Sequence, residues 1–180
     1  KYIMEGIARI PVEVDLASEY RYRNPIVDEN SIVIIISQSG ETADSLAALR
    51  EAKNRGVKVI GIVNVVGSSI AREADNVMYT WAGPEISVAT TKAYSTQLAA
   101  LYLLSLYFGK VRGTISDEEY KDLVKELKLL PEKIQSVLGD KERIQWFASK
   151  FSASHDIFFI GRGLDYATSL EASLKLKEIS

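Results

Sequence analysis

The feature that most constrains the fold is an apolar run with no polar face. Between Ser31 and Ser37 the chain reads SIVIIIS, and the residues from Ile32 to Ile36 are all apolar and β-branched. A strand with one side in water alternates apolar and polar residues, so a strand without that alternation has both faces covered. Such strands lie in the middle of parallel sheets that carry helices on both sides. A second run, VKVIGIVNV at 57–65, indicates a second strand of this kind.

Segments with helical spacing separate the predicted strands. The strands are predicted at 11–17, 31–37, 57–65, 76–82 and 156–163. The helices are predicted at 1–9, 41–55, 68–75, 88–109, 116–138, 141–151 and 164–179. Strands that alternate with helices predict a doubly wound parallel α/β sheet, a flavodoxin-like arrangement of three αβα layers. The last strand, with its glycine turn and helix, is predicted to start a second unit of the same type.

Composition excludes several classes of partner. The chain has 180 residues, a formal net charge of -2, no cysteine and one histidine. Because no basic stripe is visible, we expect no nucleic acid partner. The nearest apolar run, 98–108, is shorter than the ~18–20 residues that cross a bilayer, so we expect no membrane partner. Without cysteine there are no disulfides or thiolate metal sites, and one histidine cannot form a cluster, so we expect no metal and a cytoplasmic location.

The loop after the first apolar strand is rich in hydroxyl groups. It reads SQSGET from residue 37 to residue 42 and contains no lysine or arginine. Ligands of open parallel sheets bind at the carboxyl ends of strands, where the start of a helix offers unpaired N–H groups and a partial positive charge. These donors suit one phosphate monoester, whereas the loop lacks the lysine of a P-loop and the glycine pattern of a dinucleotide site. The alternative is that Ser39 only caps the helix and Thr42 fills its first turn.

A second hydroxyl cluster follows another predicted strand. In GPEISVATTKAYSTQ, 83–97, a Gly-Pro turn precedes Ser87, Thr90, Thr91 and a long helix. Two donor-rich turns at the ends of neighbouring strands can face the same crevice, which favours a binding site over two separate caps. Helix capping stays the alternative here as well, and Lys92 is interpreted as a surface lysine.

The last predicted helix carries three charged residues on one face. Glu171, Lys175 and Glu178 are spaced i, i+4 and i+7. By itself this spacing indicates an exposed ion pair, which stabilises a helix by a few tenths of a kcal/mol, roughly.

Several segments together resemble the sugar isomerase (SIS) domain family. They are SQSGETADSL, NVVGSS, ISVATTKAYSTQ and SLEASLKLKEIS. With ASEYRYR (17–23) and FFIGRG (158–163), the chain is most similar to the isomerase portion of the glutamine–fructose-6-phosphate aminotransferases, the glucosamine-6-phosphate synthases, over essentially its whole length. The resemblance implies a SIS-type fold and a site for fructose 6-phosphate and glucosamine 6-phosphate, with neither metal nor nucleotide cofactor.

The resemblance also implies roles for individual residues. The phosphate would be bound by Ser37, Gln38, Ser39 and Thr42. The sugar would be contacted by the main-chain carbonyl of Val88 and by Thr90, where many relatives have serine. Glu178 would move a proton between C1 and C2, and Lys175 would stabilise the negative charge that develops during this step. One carboxylate can serve as both base and acid for such a transfer, and a nearby cation offsets the charge on the sugar oxygen.

The same resemblance implies domain boundaries and partners. Residues 1–150 would form a first SIS subdomain with linking helices and without its first strand, and residues 151–180 the truncated start of a second. Both ends of the chain look cut, so we expect a piece of a longer protein. The glutaminase domain, the ring-opening histidine (which His155 does not match) and the Schiff-base lysine would lie elsewhere, and the piece alone is not expected to complete the reaction. A homodimer is implied, and the apolar faces of the helices at 88–109 and 117–138 suit such contacts.

Three other functions stay open from the sequence. The chain could be a non-catalytic SIS module that senses a phosphosugar, a deglycase of phosphorylated fructosamines, or a structural domain whose loops are only caps. The KLKE sequence at 175–178 favours an enzyme over a sensor, because a sensor does not need a carboxylate that transfers protons. The sequence separates the deglycase only weakly.

Overall fold

The computed structural model describes residues 1–179, and a parallel sheet lies at the centre of this part of the chain. Its three strands, in the order β1-β2-β3, are β1 (Ile32–Ser37), β2 (Lys58–Val63) and β3 (Asn76–Tyr79). Ser37 pairs with Val63, and Val63 pairs with Tyr79. The strands therefore end level with one another, at one edge of the sheet, and the parallel α/β fold is confirmed.

Helices occupy much of the remaining described chain. They are α1 (Tyr2–Ile7), α2 (Ala17–Tyr20), α3 (Ala43–Asn54), α4 (Ser69–Glu73), α5 (Lys92–Arg112), α6 (Asp117–Lys128), α7 (Leu130–Leu138), α8 (Lys141–Phe151) and α9 (Leu164–Ile179). None of these helices is both long enough and apolar enough to cross a membrane.

One face of the sheet is buried and the other is covered in part, since Ile36 is 42% exposed. Successive side chains of a strand point to opposite faces. On one face Ile35 and Val59 pack with Leu49 of α3. On the other face Ile34 lies against a cluster that contains Met4 of α1 and Leu104 of α5. The result is the predicted arrangement of three αβα layers.

Two predicted strands are absent from the structure. Residues 11–16 form neither strand nor helix, and Val14 and Leu16 are exposed. Residues 156–161 form neither strand nor helix, and Phe158 is exposed. These two predictions were wrong because an alternating or apolar pattern identifies a chain that can join a sheet, whereas a strand also needs a neighbour to bond with.

Two predicted helices have different bounds. The helix predicted at 88–109 begins at Lys92, so the residues before it form a turn at the edge of the sheet. The helix predicted at 116–138 is divided into α6 and α7 at Leu129. Pro131 explains the division, because proline has no N–H to bond with the carbonyl four residues earlier and its ring clashes with that carbonyl. The predicted start of α6 is confirmed, since Ser116 Oγ accepts the N–H of Glu119 at 3.1 Å.

Candidate functional site

The candidate site lies at the edge where the three strands end. The loop from residue 38 to residue 42 leaves β1 there, Asn64 follows β2, and the segment 80–91 follows β3. The in-register pairing brings these connections to the same side of the molecule. The two hydroxyl clusters found in the sequence therefore share one edge, but they follow β1 and β3, which β2 separates, and not neighbouring strands as predicted.

The loop after β1 is closed by its own hydroxyl groups. Ser37 is buried, and its Oγ accepts the N–H of Gly40 at 3.0 Å and lies 3.3 Å from Thr42 Oγ1. Ser39 Oγ accepts the N–H of Glu41 at 3.2 Å. A serine hydroxyl that accepts a bond still has its own proton to donate. The Ser39 hydroxyl therefore shapes the loop and keeps a donor for an anion.

The first turn of α3 has no side-chain cap. Thr42 stands at the N-cap position, but its side chain accepts no hydrogen bond from the helix. Ser39 bonds within the loop instead, so the alternative in which it caps this helix is wrong. The N–H groups at the start of a helix have no partner inside it and carry a partial positive charge. The exposed start of α3 can therefore bind an anion or water.

The start of α5 is different, because a carboxylate occupies it. Glu85 accepts the N–H of Thr91 at 3.2 Å and the N–H of Ala93 at 3.1 Å. It also accepts the hydroxyl of Thr91 at 3.1 Å. The pKa of Glu85 is held below its ordinary value, chiefly by the bond from the Ala93 N–H. Partial burial acts in the opposite direction, and the two kinds of bond from Thr91 lower the pKa further. Glu85 is thus an anion at neutral pH, seated where a helix favours negative charge.

A cavity of about 550 Å³ opens where the three strands end. Its lining residues are Gln38, Asn64, Val65, Val66, Trp81, Gly83, Pro84 and Glu85. Of the predicted site residues, Gln38 lies in this wall. Ser39 and Thr42 lie in the adjoining loop. Thr90 is half-buried just before α5, and Val88, two residues earlier, is fully exposed.

Asn64 joins the three strand ends. Its N–H donates to the Gln38 carbonyl at 3.1 Å, and its Nδ2 donates to the Gly83 carbonyl at 2.7 Å. Its Oδ1 accepts the N–H of Ala82 at 2.8 Å and the hydroxyl of Thr80 at 3.2 Å. Neither Asn64 nor Glu85 was predicted from the sequence as a site residue. A polar residue directly after an apolar strand was the available signal for Asn64, whereas the bonds of Glu85 depend on how the loop folds.

The charged face of α9 is present as predicted. Lys175 Nζ contacts a carboxylate oxygen of Glu178 and lies 3.6 Å from Glu171 Oε1. The hydrogen bond to Glu178 is the main cause of a raised pKa of Lys175. Lys175 is therefore a cation at neutral pH, and it is held beside the carboxylate that the sequence analysis assigned to proton transfer.

Helix α9 lies near α5 at two places. Leu164, at its start, lines a second cavity of about 360 Å³ together with Tyr102 and Leu106 of α5. Further along, burial raises the pKa of Tyr94, and the charge of Glu171 acts in the same direction. Neither Lys175 nor Glu178 lines the cavity at the strand ends.

Comparison with known proteins gives a family and close relatives. A model of the SIS domain family matches residues 1–107. The protein named glutamine–fructose-6-phosphate aminotransferase [isomerizing] in Caldanaerobacter subterraneus subsp. tengcongensis is 63% identical over 180 residues. The protein of the same name in Clostridium tetani is 60% identical over 180 residues. These alignments cover 100% of this chain and 30% of each relative, so the chain spans less than a third of their length.

Solved structures show the same architecture. The C-terminal domain of glucosamine-fructose-6-phosphate aminotransferase from Francisella tularensis aligns with a TM-score of 0.96 and 41% sequence identity, covering 99% of this chain and 51% of that chain. The glucosamine-6-phosphate deaminase of Thermotoga maritima aligns with a TM-score of 0.76 and 27% identity, covering 99% of this chain and 52% of that chain.

Proposed function

Because this chain belongs to the SIS domain family, we propose that it is the phosphosugar-binding part of a glutamine–fructose-6-phosphate aminotransferase. In the whole enzyme, fructose 6-phosphate and ammonia released from glutamine would give glucosamine 6-phosphate for amino-sugar synthesis. The names of the relatives support this proposal, since the two proteins of that name match the chain from end to end at 60% identity or more. The observation that carries it is the uncapped start of α3 beside a loop of hydroxyl groups.

The phosphate would lie at α3 rather than at α5. A phosphate monoester carries close to two negative charges at neutral pH. At α3 it meets N–H groups without side-chain partners and the hydroxyls of Ser39 and Thr42. At α5 it would meet the carboxylate of Glu85, which already accepts the N–H groups of that helix. The carboxylates beside α3 have partners elsewhere, since Glu41 accepts the N–H of Ser69 and Asp44 is paired with Arg21. These contacts favour one orientation, with the phosphate beside β1 and the sugar carbons toward the segment 83–91.

The cavity suits a ligand of this size. Its volume of about 550 Å³ falls in the range of roughly 300–1,000 Å³ typical of small-molecule sites. Gln38 in the wall can donate its amide to a phosphate or sugar oxygen. Val88, through its carbonyl, and Thr90, through its hydroxyl, are proposed as the contacts to the sugar.

The proposed chemistry is a proton transfer between neighbouring carbons. Ammonia adds to the C2 carbonyl of fructose 6-phosphate with loss of water. Glu178 would then take a proton from C1, and the C1–H electron pair would form a C1–C2 double bond while the C2–nitrogen double bond opens and the nitrogen takes up a proton. Glu178 would return its proton to C2 as O1 loses its proton and the C1 carbonyl forms. Lys175 beside it would offset the negative charge that develops on the sugar oxygen. The contact between Lys175 and Glu178 supports this pairing of roles.

Residues 151–180 are proposed to begin a second SIS unit in the longer protein. Phe158 and Ile160 are 88% and 87% exposed, which is unusual for large apolar residues so close together. The Francisella tularensis structure aligns with almost the whole chain and is about twice its length. Further chain of such a unit, packed over this segment, would cover these side chains.

A binding measurement tests the proposal. Fructose 6-phosphate and glucosamine 6-phosphate are titrated into the intact protein and into the Ser39→Ala and Thr42→Val variants by calorimetry. A hydrogen bond to a charged group contributes ~1.5–3 kcal/mol, so each variant is expected to bind roughly tenfold to a hundredfold more weakly. Ser116→Ala is the control, since it removes a serine hydroxyl at α6, away from the strand ends. Absence of binding to the unmodified protein at millimolar concentration would contradict the proposal.

A second variant separates an enzyme from a sensor. Glu178→Gln is expected to lower aminotransferase activity by ~10²–10⁴-fold, the usual contribution of a general acid–base residue, while sugar-phosphate binding is retained. An unmodified protein that binds the sugar phosphates without transferring ammonia would favour the sensing module. Release of an amine from a phosphorylated fructosamine would favour the deglycase.

The remaining partners are also proposals. The glutaminase domain of the same longer chain is proposed as the source of ammonia, and the protein is proposed to act as a cytoplasmic homodimer. Sedimentation equilibrium of the intact protein would give the oligomeric state directly, and a monomer at micromolar concentration would contradict the dimer.

A further inference from the structure

A nine-residue segment, 83–91, connects the end of the sheet to α5, and its first three residues line the cavity of the candidate site. Its central part has little packing to hold it, since Ile86 and Val88 are 93% and 100% exposed. Thr91, at the N-cap position of α5, does not cap the helix with its side chain. The shape of this segment therefore depends on the polar contacts at its two ends.

The C-terminal end of the segment is closed by Glu85. Its carboxylate reaches forward to the N–H groups of Thr91 and Ala93 and to the Thr91 hydroxyl. These bonds fold residues 86–90 into a loop that returns to the start of α5. The two residues proposed to contact the sugar, Val88 and Thr90, lie within that loop.

The N-terminal end of the segment is held by Asn64. Its side chain bonds to the Gly83 carbonyl at 2.7 Å and to the Ala82 N–H at 2.8 Å, and its main chain bonds to the Gln38 carbonyl at 3.1 Å. The start of the segment is thereby tied to the loop that is proposed to bind the phosphate. The sugar contacts at the other end of the segment are then positioned by the bonds of Glu85 to Thr91 and Ala93.

We propose that Glu85 is a positioning residue whose carboxylate folds the loop 86–90 and so sets the distance between the sugar contacts and the phosphate loop. The inference rests on the proposed function, because it assumes that Val88 and Thr90 meet the sugar of a phosphosugar. Glu85 itself acts through Thr91 and Ala93. It affects recognition of the sugar and leaves recognition of the phosphate unchanged.

Two ligands separate these effects. Inorganic phosphate contacts only the loop after β1 and the start of α3, whereas fructose 6-phosphate spans the cavity. Both are titrated into the intact protein and into Glu85→Gln and Glu85→Asp, with calorimetry for the sugar phosphate and phosphorus NMR for inorganic phosphate. Gln keeps one acceptor and removes the charge, and Asp keeps the charge on a shorter side chain.

The Glu85 variants are expected to lose affinity for fructose 6-phosphate and to keep their affinity for inorganic phosphate. Both variants are expected to bind fructose 6-phosphate about tenfold more weakly, as for loss of one hydrogen bond made by a charged group, and to bind inorganic phosphate as the unmodified protein does. In steady-state kinetics the same variants raise KM for fructose 6-phosphate more than they lower kcat. Ser116→Ala is the matched control, since it removes an N-cap bond from α6 and is expected to change neither affinity.

Three outcomes would overturn the inference. Unchanged affinity for fructose 6-phosphate in both variants would show that the closure by Glu85 does not position the sugar contacts. If the variants lose affinity equally for inorganic phosphate and for fructose 6-phosphate, Glu85 stabilises the whole site and does not act on the sugar contacts alone. If the unmodified protein does not bind fructose 6-phosphate, the proposed function is wrong and this inference falls with it. That outcome is seen in the unmodified protein, whereas the other two are seen only in the Glu85 variants.

Discussion

Gly40 determines how closely the proposed phosphate loop approaches α4. Its backbone has a φ of 67°, a left-handed conformation that glycine adopts without penalty. A Cβ at this position would lie 2.1 Å from Ser68 Oγ and 2.6 Å from Ser68 Cβ. The Gly40 carbonyl also accepts the N–H of Ile70 at 3.0 Å. The loop is therefore packed directly onto the start of α4, and a side chain would push the two apart.

Gly40→Ala is expected to destabilise the protein by ~2–4 kcal/mol, the sum of a strained backbone and an overpacked contact. Urea unfolding followed by circular dichroism measures the change. Gly56→Ala is the matched control, because Gly56 has a φ of 77° and its Cβ would meet nothing within 4 Å. The control measures only the free-energy cost of placing alanine in a left-handed backbone conformation, about 1 kcal/mol. Equal losses in the two variants would mean that the contact with Ser68 contributes nothing.

At the scale of the element, two helices that start at the same edge have different electrostatic states. The start of α3 keeps its N–H groups without a side-chain cap, and Asp44 in its first turn is paired with Arg21 at 2.8 Å. The start of α5 is neutralised by Glu85. Only the first is therefore suited to a phosphate. Sequence patterns could not separate the two, because serine and threonine precede both helices.

Helix α6 offers a direct measurement of a cap in this protein. Ser116 Oγ accepts the Glu119 N–H at 3.1 Å, and three acidic residues follow in the first turn. Ser116→Ala is expected to lower the free energy of unfolding by about 1 kcal/mol, since one N–H at the helix start loses its acceptor. Ser116→Asp keeps an acceptor and is expected to retain the stability. Urea unfolding of the two variants checks this, and a loss in the Asp variant as large as in the Ala variant would argue against capping.

At the scale of the whole molecule, several carboxylates tie separate elements together. Five of them have a pKa below the ordinary value: Glu41, Glu73, Asp75, Glu85 and Glu126. For Asp75 the main cause is the N–H of Val59, which donates to its carboxylate at 2.8 Å and links β2 to the turn before β3. For Glu73 it is Arg50, whose two bonds join α3 to α4.

The stability is expected to fall on the acid side of neutrality. A carboxylate whose pKa is lower in the folded than in the unfolded state stabilises the fold above the unfolded pKa, and this contribution is lost as the pH falls through the folded pKa. Since unfolded Asp and Glu titrate near pH ~4, the loss should begin below about pH 5 and continue below pH ~4. Urea unfolding between these limits and neutrality measures the slope.

Asp75→Asn is expected to make that acid slope shallower, because the variant side chain has no proton to take up there. Glu29→Gln is the control, since it changes the net charge equally at an exposed turn. An unchanged slope in the Asn variant would show that the bond to Val59 does not contribute to acid sensitivity.

The sheet and its covering helices could be predicted because their signals are local. The residues from Ile32 to Ile36 require burial on both faces, and the helical spacing after them supplies one cover. The segments 11–17 and 156–163 have strand-like patterns but no partner strand among residues 1–179, so pattern alone predicted them wrongly. The variants at Ser39, Thr42 and Glu178 test the roles of those three residues. The remaining roles stay predictions: those of Ser37, Gln38, Val88, Thr90 and Lys175.

By itself, the sequence determined that this chain forms a parallel α/β sheet and that hydroxyl-rich turns lie at one edge, because burial and strand direction follow from periodicity. The tertiary structure alone decided which helix start stays available to an anion. That difference depends on Glu85 folding back onto α5 and on Ser39 bonding within its own loop. It also decided that Asn64 joins the three strand ends, since its partners Gln38 and Gly83 lie 26 positions before it and 19 positions after it in the chain. Hydrogen bonds between such distant residues depend on folded geometry, which no local pattern specifies.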